Sequence, residues 1–212
     1  MAFFWSFYQN TSIHGYSFVS RFLTSLFQSI TCRTAGFNTF NIATLGNATL
    51  AFMIFLMFFG ASPDSCGGGI KTTTLAVLSK FAWSRIKNKI RVNLFKKSIP
   101  KDTVTKSISL VVISITIIVT VFFLLLLSMP ENIRHSGHHS QFLSYLFEVV
   151  SAFGTVGLSM GATAKISCLG KVLIIIMMLI GRVGVLTFSY LIAGVELING
   201  IEYSDENIII DY

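Results

Sequence analysis

The amino-acid sequence predicts an all-α membrane protein built from repeated units. Each unit is a span, a re-entrant half-helix, a glycine turn and a second span. Of the 212 residues, 53% are hydrophobic and only 12% are charged, and the mean hydropathy is +0.73. Because a soluble domain averages about 25% charged residues, this composition favours the bilayer. Two uninterrupted apolar windows, 108–129 and 172–195, reach the length of about 20 residues that a helix needs to cross a membrane.

An internal repeat organises the rest of the chain. The segment Phe22–Gln28 matches Phe142–Glu148 in the character of nearly every residue, and a Thr-x-Gly turn follows each copy, at 34–36 and 155–157. One extra residue precedes the second turn. The apolar run before each turn is about half a span long, so each run must re-enter and turn back. We therefore expect two copies of one unit of a larger assembly.

The first unit, 1–84, lacks most of its opening span, and its second span is broken. That second span begins with Leu50–Phe59, stops at Pro63 and the glycines 67–69, and resumes from Ile70 to about Ser84. Proline and glycine cannot continue a helix cheaply. Irregular backbone at membrane depth must be buried in protein or line a watery cavity.

A basic segment fixes the predicted orientation. Nine lysines and arginines lie between Lys80 and Lys106 against one acid, Asp102. The positive-inside rule favours a cytoplasmic loop at 85–105 over a nucleic-acid or lipid-headgroup site. The second unit, 106–196, then runs outward, re-enters after an outer loop and returns inward through 172–195. The tail 197–212 lies in the cytoplasm.

The two glycine turns indicate a cation pore. The C-terminal end of a re-entrant helix is partially negative, and Gly36 and Gly157 permit backbone angles that side chains forbid. Backbone carbonyls in such turns can replace the hydration shell of potassium. One Thr-x-Gly is common in any loop, but two copies behind matching half-helices favour a pore.

Because four turns must surround an ion, either two chains combine or the chain is part of a longer protein. The missing first span favours the latter.

Several segments resemble the Trk/Ktr potassium-uptake family. They are Thr31–Thr39, Gly60–Pro63 with Gly67–Thr74, Gly154–Ser159 and Ile180–Gly184, and the ending Tyr203–Ile210 is similar to the membrane subunit of the Ktr branch. The resemblance covers almost the whole chain. It identifies 1–84 as the third pore repeat and 106–196 as the fourth, the C-terminal half of a transporter subunit.

The resemblance implies potassium uptake across the cytoplasmic membrane, with sodium also carried by some members and no covalent cofactor. It implies four repeats around one pore, a homodimer in the lipid bilayer and a cytoplasmic nucleotide-binding regulatory ring. The implied filter residues, with K+ the only metal, are Thr34, Ala35, Gly36, Thr155, Val156 and Gly157. The implied gating loop contains Gly60, Ser62, Pro63, Gly67, Gly68, Gly69 and Lys71, although Asp64 and Cys66 depart from the small neutral or hydroxyl residues expected there.

Arg182 is the implied gate partner, and its position in an apolar window agrees with that role. A charge at mid-span costs several kcal/mol unless it faces a cavity or a partner. Loop carbonyls or Asp64 would satisfy Arg182, and a snorkelling arginine is the alternative. If the chain stands alone, the alternative function is a non-conducting remnant, or a half-subunit that needs a separate N-terminal half.

Other motifs favour simpler interpretations. A phosphate-binding loop needs glycine directly before lysine, whereas Ile70 separates Gly69 from Lys71. The histidines of the outer loop are spaced loosely for a metal, so a solvated loop is favoured at His135, His138 and His139. Gln28 and Glu148 occupy equivalent places, where they either hold the filter from behind or make a purely structural contact. No nucleophile-base-acid grouping is evident, so we expect no enzymatic activity. Since the basic residues are assigned to a cytoplasmic loop, we also expect no nucleic-acid partner.

Overall fold

The computed structural model describes residues 17–39, 41–60, 62, 67–87, 93–94, 97–128 and 139–184. These residues confirm the all-α prediction. The helices are α1 (Phe18–Thr31), α2 (Asn47–Phe58), α3 (Thr72–Ile86), α4 (Lys101–Leu127), α5 (His139–Phe153) and α6 (Cys168–Val183). A single 3₁₀ turn, Ile42–Thr44, precedes α2. Two short strands, β1 (Asn93–Leu94) and β2 (Lys97–Ser98), lie between α3 and α4.

Helix α5 is the centre of the packing. It contacts α2, α4 and α6, and its Phe147, Val149 and Phe153 side chains have no measurable exposure. The Phe153 ring stacks on Phe58 at the end of α2, with 6.0 Å between ring centroids. A half-helix of this kind is held by the elements around it, since so short a helix has little stability of its own in water.

Helix α4 contains residues 108–127 of the predicted span 108–129. Its segment Asp102–Leu127 is the one helix in the described part of the chain long and apolar enough to cross a membrane, and the mean hydropathy of its 18-residue apolar window is 3.2. Pro100 precedes the first turn, where proline removes no helical hydrogen bond, and Asp102 lies in that turn. A carboxylate there is stabilised by the positive end of the helix dipole.

Helix α1 buries polar side chains and exposes apolar ones, the reverse of a helix on the surface of a soluble protein. Its buried residues are Ser25, Gln28 and Thr31, which recur every third position along one face. Large apolar residues such as Phe22 and Leu23 are about half exposed. A helix that buries its polar stripe and presents apolar side chains outward suits an apolar surrounding rather than water.

Two separate helices lie where the sequence predicts the broken second span of the first unit. Helix α2 ends at Phe58, and α3 begins at Thr72. The chain returns to the end of α2, because the Ile70 amide donates a hydrogen bond to the Phe58 carbonyl oxygen at 3.2 Å. The prediction that the helix resumes at Ile70 placed this start slightly early.

One sequence prediction was wrong in detail. The window 172–195 is not one uninterrupted helix, because α6 ends at Val183 and Gly184 takes a φ of +93° that no helix continues. Arg182 therefore lies in the last turn of α6 rather than near the middle of a helix.

Candidate functional site

The two Thr-x-Gly turns follow α1 and α5 and are closed by equivalent hydrogen bonds. The Thr31 hydroxyl donates to the carbonyl oxygen of Phe37 at 2.7 Å, and the Ser151 hydroxyl donates to that of Leu158 at 2.6 Å. Each bond joins the last part of a helix to the residue after the glycine. The backbone between them is therefore held as a closed loop in both repeats.

These matching bonds locate the extra residue of the second repeat. Three positions separate Thr31 from Thr34, whereas four separate Ser151 from Thr155. The extra position falls beside Gly154, which lies against the end of α2. A Cβ at Gly154 would come within 2.7 Å of the Met57 carbonyl oxygen.

The backbone of both turns alternates in handedness. Thr34 and Gly36 have φ values of +65° and +74°, and Thr155 and Gly157 have +50° and +86°. The middle residue of each turn stays outside this left-handed region. Among the described residues, the two threonines are the non-glycine residues with positive φ. A β-branched residue there costs on the order of 1–3 kcal/mol, and such strain concentrates at functional sites.

The two turns meet. A Cβ added to Gly36 would overlap the carbonyl oxygen of Val156, and a Cβ added to Gly157 would lie 4.0 Å from the Gly36 Cα. The Val156 carbonyl is therefore directed at the facing turn, and only glycine fits opposite it. The structure brings the two turns that contain the predicted filter residues together at one place.

A buried carboxylate lies behind the second turn. Glu148 is 6% exposed, and one of its oxygens accepts from the Ser159 hydroxyl at 2.5 Å, the Met160 amide at 3.1 Å and the Ala162 amide at 3.2 Å. Its other oxygen accepts from the Thr163 hydroxyl at 2.8 Å. Glu148 thus organises the segment that leaves the Gly157 turn.

The equivalent residue of the first repeat behaves differently. Gln28 is fully buried, and neither its amide nitrogen nor its carbonyl oxygen has a hydrogen-bond partner within the described part of the chain. Of the two interpretations of this pair, the contacts of Glu148 agree with a residue that holds the turn from behind.

The segment Gly67–Lys71 lies directly against the second turn. The amide of Gly68 donates to the Thr155 hydroxyl oxygen at 2.9 Å. The Lys71 ammonium donates to the Gly67 carbonyl oxygen at 3.4 Å and closes the segment on itself. Of the other predicted loop residues, Gly60 is buried and Ser62 is exposed. Pro63, Asp64 and Cys66 lie outside the described residues.

Arg182 is near this segment on α6. Its neighbour Gly181 has a carbonyl oxygen that a Cβ at Gly68 would approach to 2.9 Å. Arg182 also lines, together with Glu148 and Thr155, a cavity of about 480 Å³ between α6 and the second turn. The predicted contact of Arg182 with Asp64 falls outside the described residues.

The outer-loop histidines are mostly beyond description. His135 and His138 lie outside the described residues, and His139 begins α5 with its side chain also undescribed. Where the chain is described, there is no group of three or more histidine, cysteine or acidic side chains that could hold a metal ion.

Sequence reasoning missed the hydroxyls that close the turns and the bond between Thr155 and Gly68. The signal for the first was available, since Thr31 and Ser151 both precede a Thr-x-Gly by a few residues. The second joins residues 87 positions apart, and no local pattern announces it.

Comparisons with known proteins agree with one another. The TrkH family profile, described as "Cation transport protein", matches residues 1–197. The chain is 42% identical over 203 residues to the Ktr system potassium uptake protein D of Bacillus subtilis, covering 95% of this chain and 43% of that protein. It is 40% identical over 176 residues to the Ktr system potassium uptake protein B of Vibrio alginolyticus, covering 83% and 37%.

A solved structure shares the fold. The crystal structure of the potassium transporter TrkH from Vibrio parahaemolyticus matches with a TM-score of 0.70 and 22% identity, covering 92% of this chain and 42% of that one. The chain thus spans about two fifths of the length of the curated relatives it matches.

Proposed function

Because the chain belongs to the TrkH family of cation transport proteins, we propose that it supplies two filter turns of a potassium-uptake pore in the cytoplasmic membrane. Proteins of this family are transporters and not enzymes. The observation that carries the proposal is the meeting of two turns of alternating handedness, one behind each half-helix.

The proposed chemistry is dehydration by backbone carbonyls. In each turn the left-handed threonine and glycine flank a residue of ordinary φ, and alternation of this kind turns successive carbonyls toward one side. The C-terminal ends of α1 and α5 add partial negative charge behind the turns. Carbonyls of residues 34–36 and 155–157 then replace part of the potassium hydration shell, and the ion passes down its electrochemical gradient.

The proposed gate is the interruption between α2 and α3. Gly60, Ser62 and the segment Gly67–Lys71 belong to it, with Pro63 assigned from the sequence alone and Arg182 as its restraint. Support comes from the hydrogen bond between Gly68 and Thr155 and from the closeness of Gly68 to the Gly181 carbonyl. The segment obstructs the region below the filter by lying across it.

The proposed assembly contains more than this chain. Since four turns surround an ion, the two turns act with the repeats that make up the remainder of the longer relatives, in a homodimer regulated by a cytoplasmic nucleotide-binding ring. The basic loop 85–105 and the C-terminal tail face the cytoplasm under the positive-inside rule. We propose residues 1–84 as the third repeat and residues 106–196 as the fourth.

A complementation experiment tests the function. A cell lacking its own potassium uptake receives either this chain alone or this chain with an N-terminal half taken from the Bacillus subtilis relative. We expect growth at low potassium only with both halves present. Growth with this chain alone would show that copies of it complete the ring. Growth with neither, although the proteins are stably expressed, would contradict the pore and favour the non-conducting remnant.

A deletion tests the gate. Removing Gly67–Gly69 from the complete assembly takes away the backbone that contacts the second turn, so potassium flux rises. The measurement is the initial rate of potassium uptake per molecule at the membrane. A rate equal to that of the unaltered assembly would contradict a gate at this place.

A further inference from the structure

The second filter turn is tied to the interrupted segment by one side chain. Thr155 opens the turn in a left-handed conformation with φ +50°, and its hydroxyl oxygen accepts the amide of Gly68 at 2.9 Å. The two residues are 87 positions apart and belong to different repeats. Any displacement of Gly68 therefore changes the surroundings of Thr155 directly.

Gly68 has no room for a side chain while it makes this bond. A Cβ at this buried position would come within 2.6 Å of the Thr155 hydroxyl oxygen, 2.7 Å of its methyl carbon and 2.9 Å of the Gly181 carbonyl oxygen. The backbone of Gly68 therefore lies close to both the second turn and α6. A displacement that takes Gly68 away from Thr155 breaks the bond.

The equivalent threonine of the first repeat is not tied in this way. The Thr34 hydroxyl donates to the carbonyl oxygen of its own neighbour Arg33 at 2.6 Å. Thr34 has the same left-handed conformation, with φ +65°. The two turns share their backbone shape but differ in what their first side chain contacts, so Thr34 is a natural control for Thr155.

We propose that Thr155 is a positioning residue that couples the filter to the gate. While the segment is in place, the Gly68 amide holds the Thr155 side chain and with it the strained backbone of the turn. When the segment withdraws, the turn loses this restraint and the affinity of the filter for its ion changes. One hydrogen bond and one left-handed β-branched residue are of comparable energetic size, so losing the bond shifts the turn measurably. This inference rests on the proposed function.

The test uses the complete assembly with Thr155→Val, which keeps the shape and removes the acceptor, and with Thr155→Ser, which keeps the acceptor. Thr34→Val is the matched control. We expect Thr155→Val to raise the basal potassium flux. We also expect it to change the ratio of the potassium and sodium concentrations that give half-maximal uptake by roughly two- to twelvefold, because loss of one ordinary hydrogen bond changes an equilibrium by that factor. Thr155→Ser and Thr34→Val leave the acceptor of the Gly68 amide in place, so both effects should be smaller than that of Thr155→Val. Equal behaviour of Thr155→Val and Thr155→Ser would overturn the coupling.

A second measurement guards against a variant that does not insert or conduct. Hydrogen exchange of the peptide containing Gly68, in purified protein, should quicken in Thr155→Val by a similar factor and stay unchanged in Thr34→Val. Unchanged exchange in Thr155→Val overturns the coupling even if potassium flux cannot be measured. An unaltered assembly that carries no potassium, with the exchange difference present, overturns the proposed function instead.

Discussion

Replacing Glu148 should lower the stability of the protein and its preference for potassium, because Glu148 holds the segment 159–163 by hydrogen bonds. The most informative changes are Glu148→Leu, which roughly keeps the side-chain volume, and Glu148→Gln, which keeps one oxygen acceptor. Because Glu148 accepts from two hydroxyls and two backbone amides, Glu148→Leu leaves all four donors without their partner.

The magnitude follows from where those donors lie. Ser159 is exposed and Thr163 half-buried, so water replaces much of what their hydroxyls lose. The amide of the buried Ala162 and that of the half-buried Met160 are less able to find water. At about 1–3 kcal/mol for each unsatisfied buried amide, Glu148→Leu costs about 2–6 kcal/mol. Glu148→Gln keeps the three bonds to one oxygen and should cost about 1–2 kcal/mol.

The assay is thermal unfolding of the purified protein in detergent, together with potassium-against-sodium competition in uptake. For a chain of this size about 1 kcal/mol corresponds to roughly 2–4 °C. We therefore expect the apparent Tm to fall by roughly 4–24 °C for Glu148→Leu and by roughly 2–8 °C for Glu148→Gln. The preference for potassium should decline in the same order.

Gln28→Leu is the matched control. Gln28 occupies the equivalent position and is buried without a hydrogen-bond partner in the described structure, so its replacement by an apolar side chain should be neutral or mildly stabilising. Equal losses for Gln28→Leu and Glu148→Leu would refute the reasoning, because burial alone would then explain both. A loss for Glu148→Gln as large as for Glu148→Leu would show that the charge matters more than the acceptor geometry.

Glycine replacements probe the close contacts. Gly36→Ser and Gly157→Ser should both lower the potassium-over-sodium preference in uptake. Gly36→Ser should lower it more, because its Cβ overlaps the Val156 carbonyl oxygen, whereas a Cβ at Gly157 comes no nearer than 4.0 Å to the Gly36 Cα. Equal effects would contradict this contact, and unchanged preference in both would contradict the filter. Gly181→Ala should lower the apparent Tm, because its Cβ overlaps the Phe153 carbonyl oxygen and this outweighs the gain of about 1 kcal/mol in helix propensity. An unchanged or raised Tm would show that α5 and α6 separate easily.

The parts of the fold that the sequence predicted have local signals. The half-helix α5 was predicted because an apolar run of half a span is followed by a glycine turn. The break between α2 and α3 was predicted because Pro63 and Gly67–Gly69 interrupt the run. Both signals operate over a few residues, so they need no knowledge of the tertiary structure.

The parts that were missed depend on distant contacts or lie inside a long apolar run. The end of α6 at Val183 falls inside the window 172–195, where apolar residues continue on both sides of Arg182 and Gly184. The bond from Gly68 to Thr155 and the acceptor role of Glu148 arise only once the helices are placed. For the same reason the difference between Gln28 and Glu148 could be noticed in the sequence but not interpreted.

The extra residue between Ser151 and Thr155 has a consequence for symmetry. A pore made of strictly equivalent quadrants would present the same contact at every turn, and an obstruction would fit all of them or none. In the second repeat Gly154 lies against α2 and the Thr155 hydroxyl accepts the Gly68 amide, while the Thr34 hydroxyl donates to the carbonyl oxygen of Arg33. In the proposed pore these two quadrants therefore differ, and a barrier seated off the axis on one of them acts on a path that all of them share.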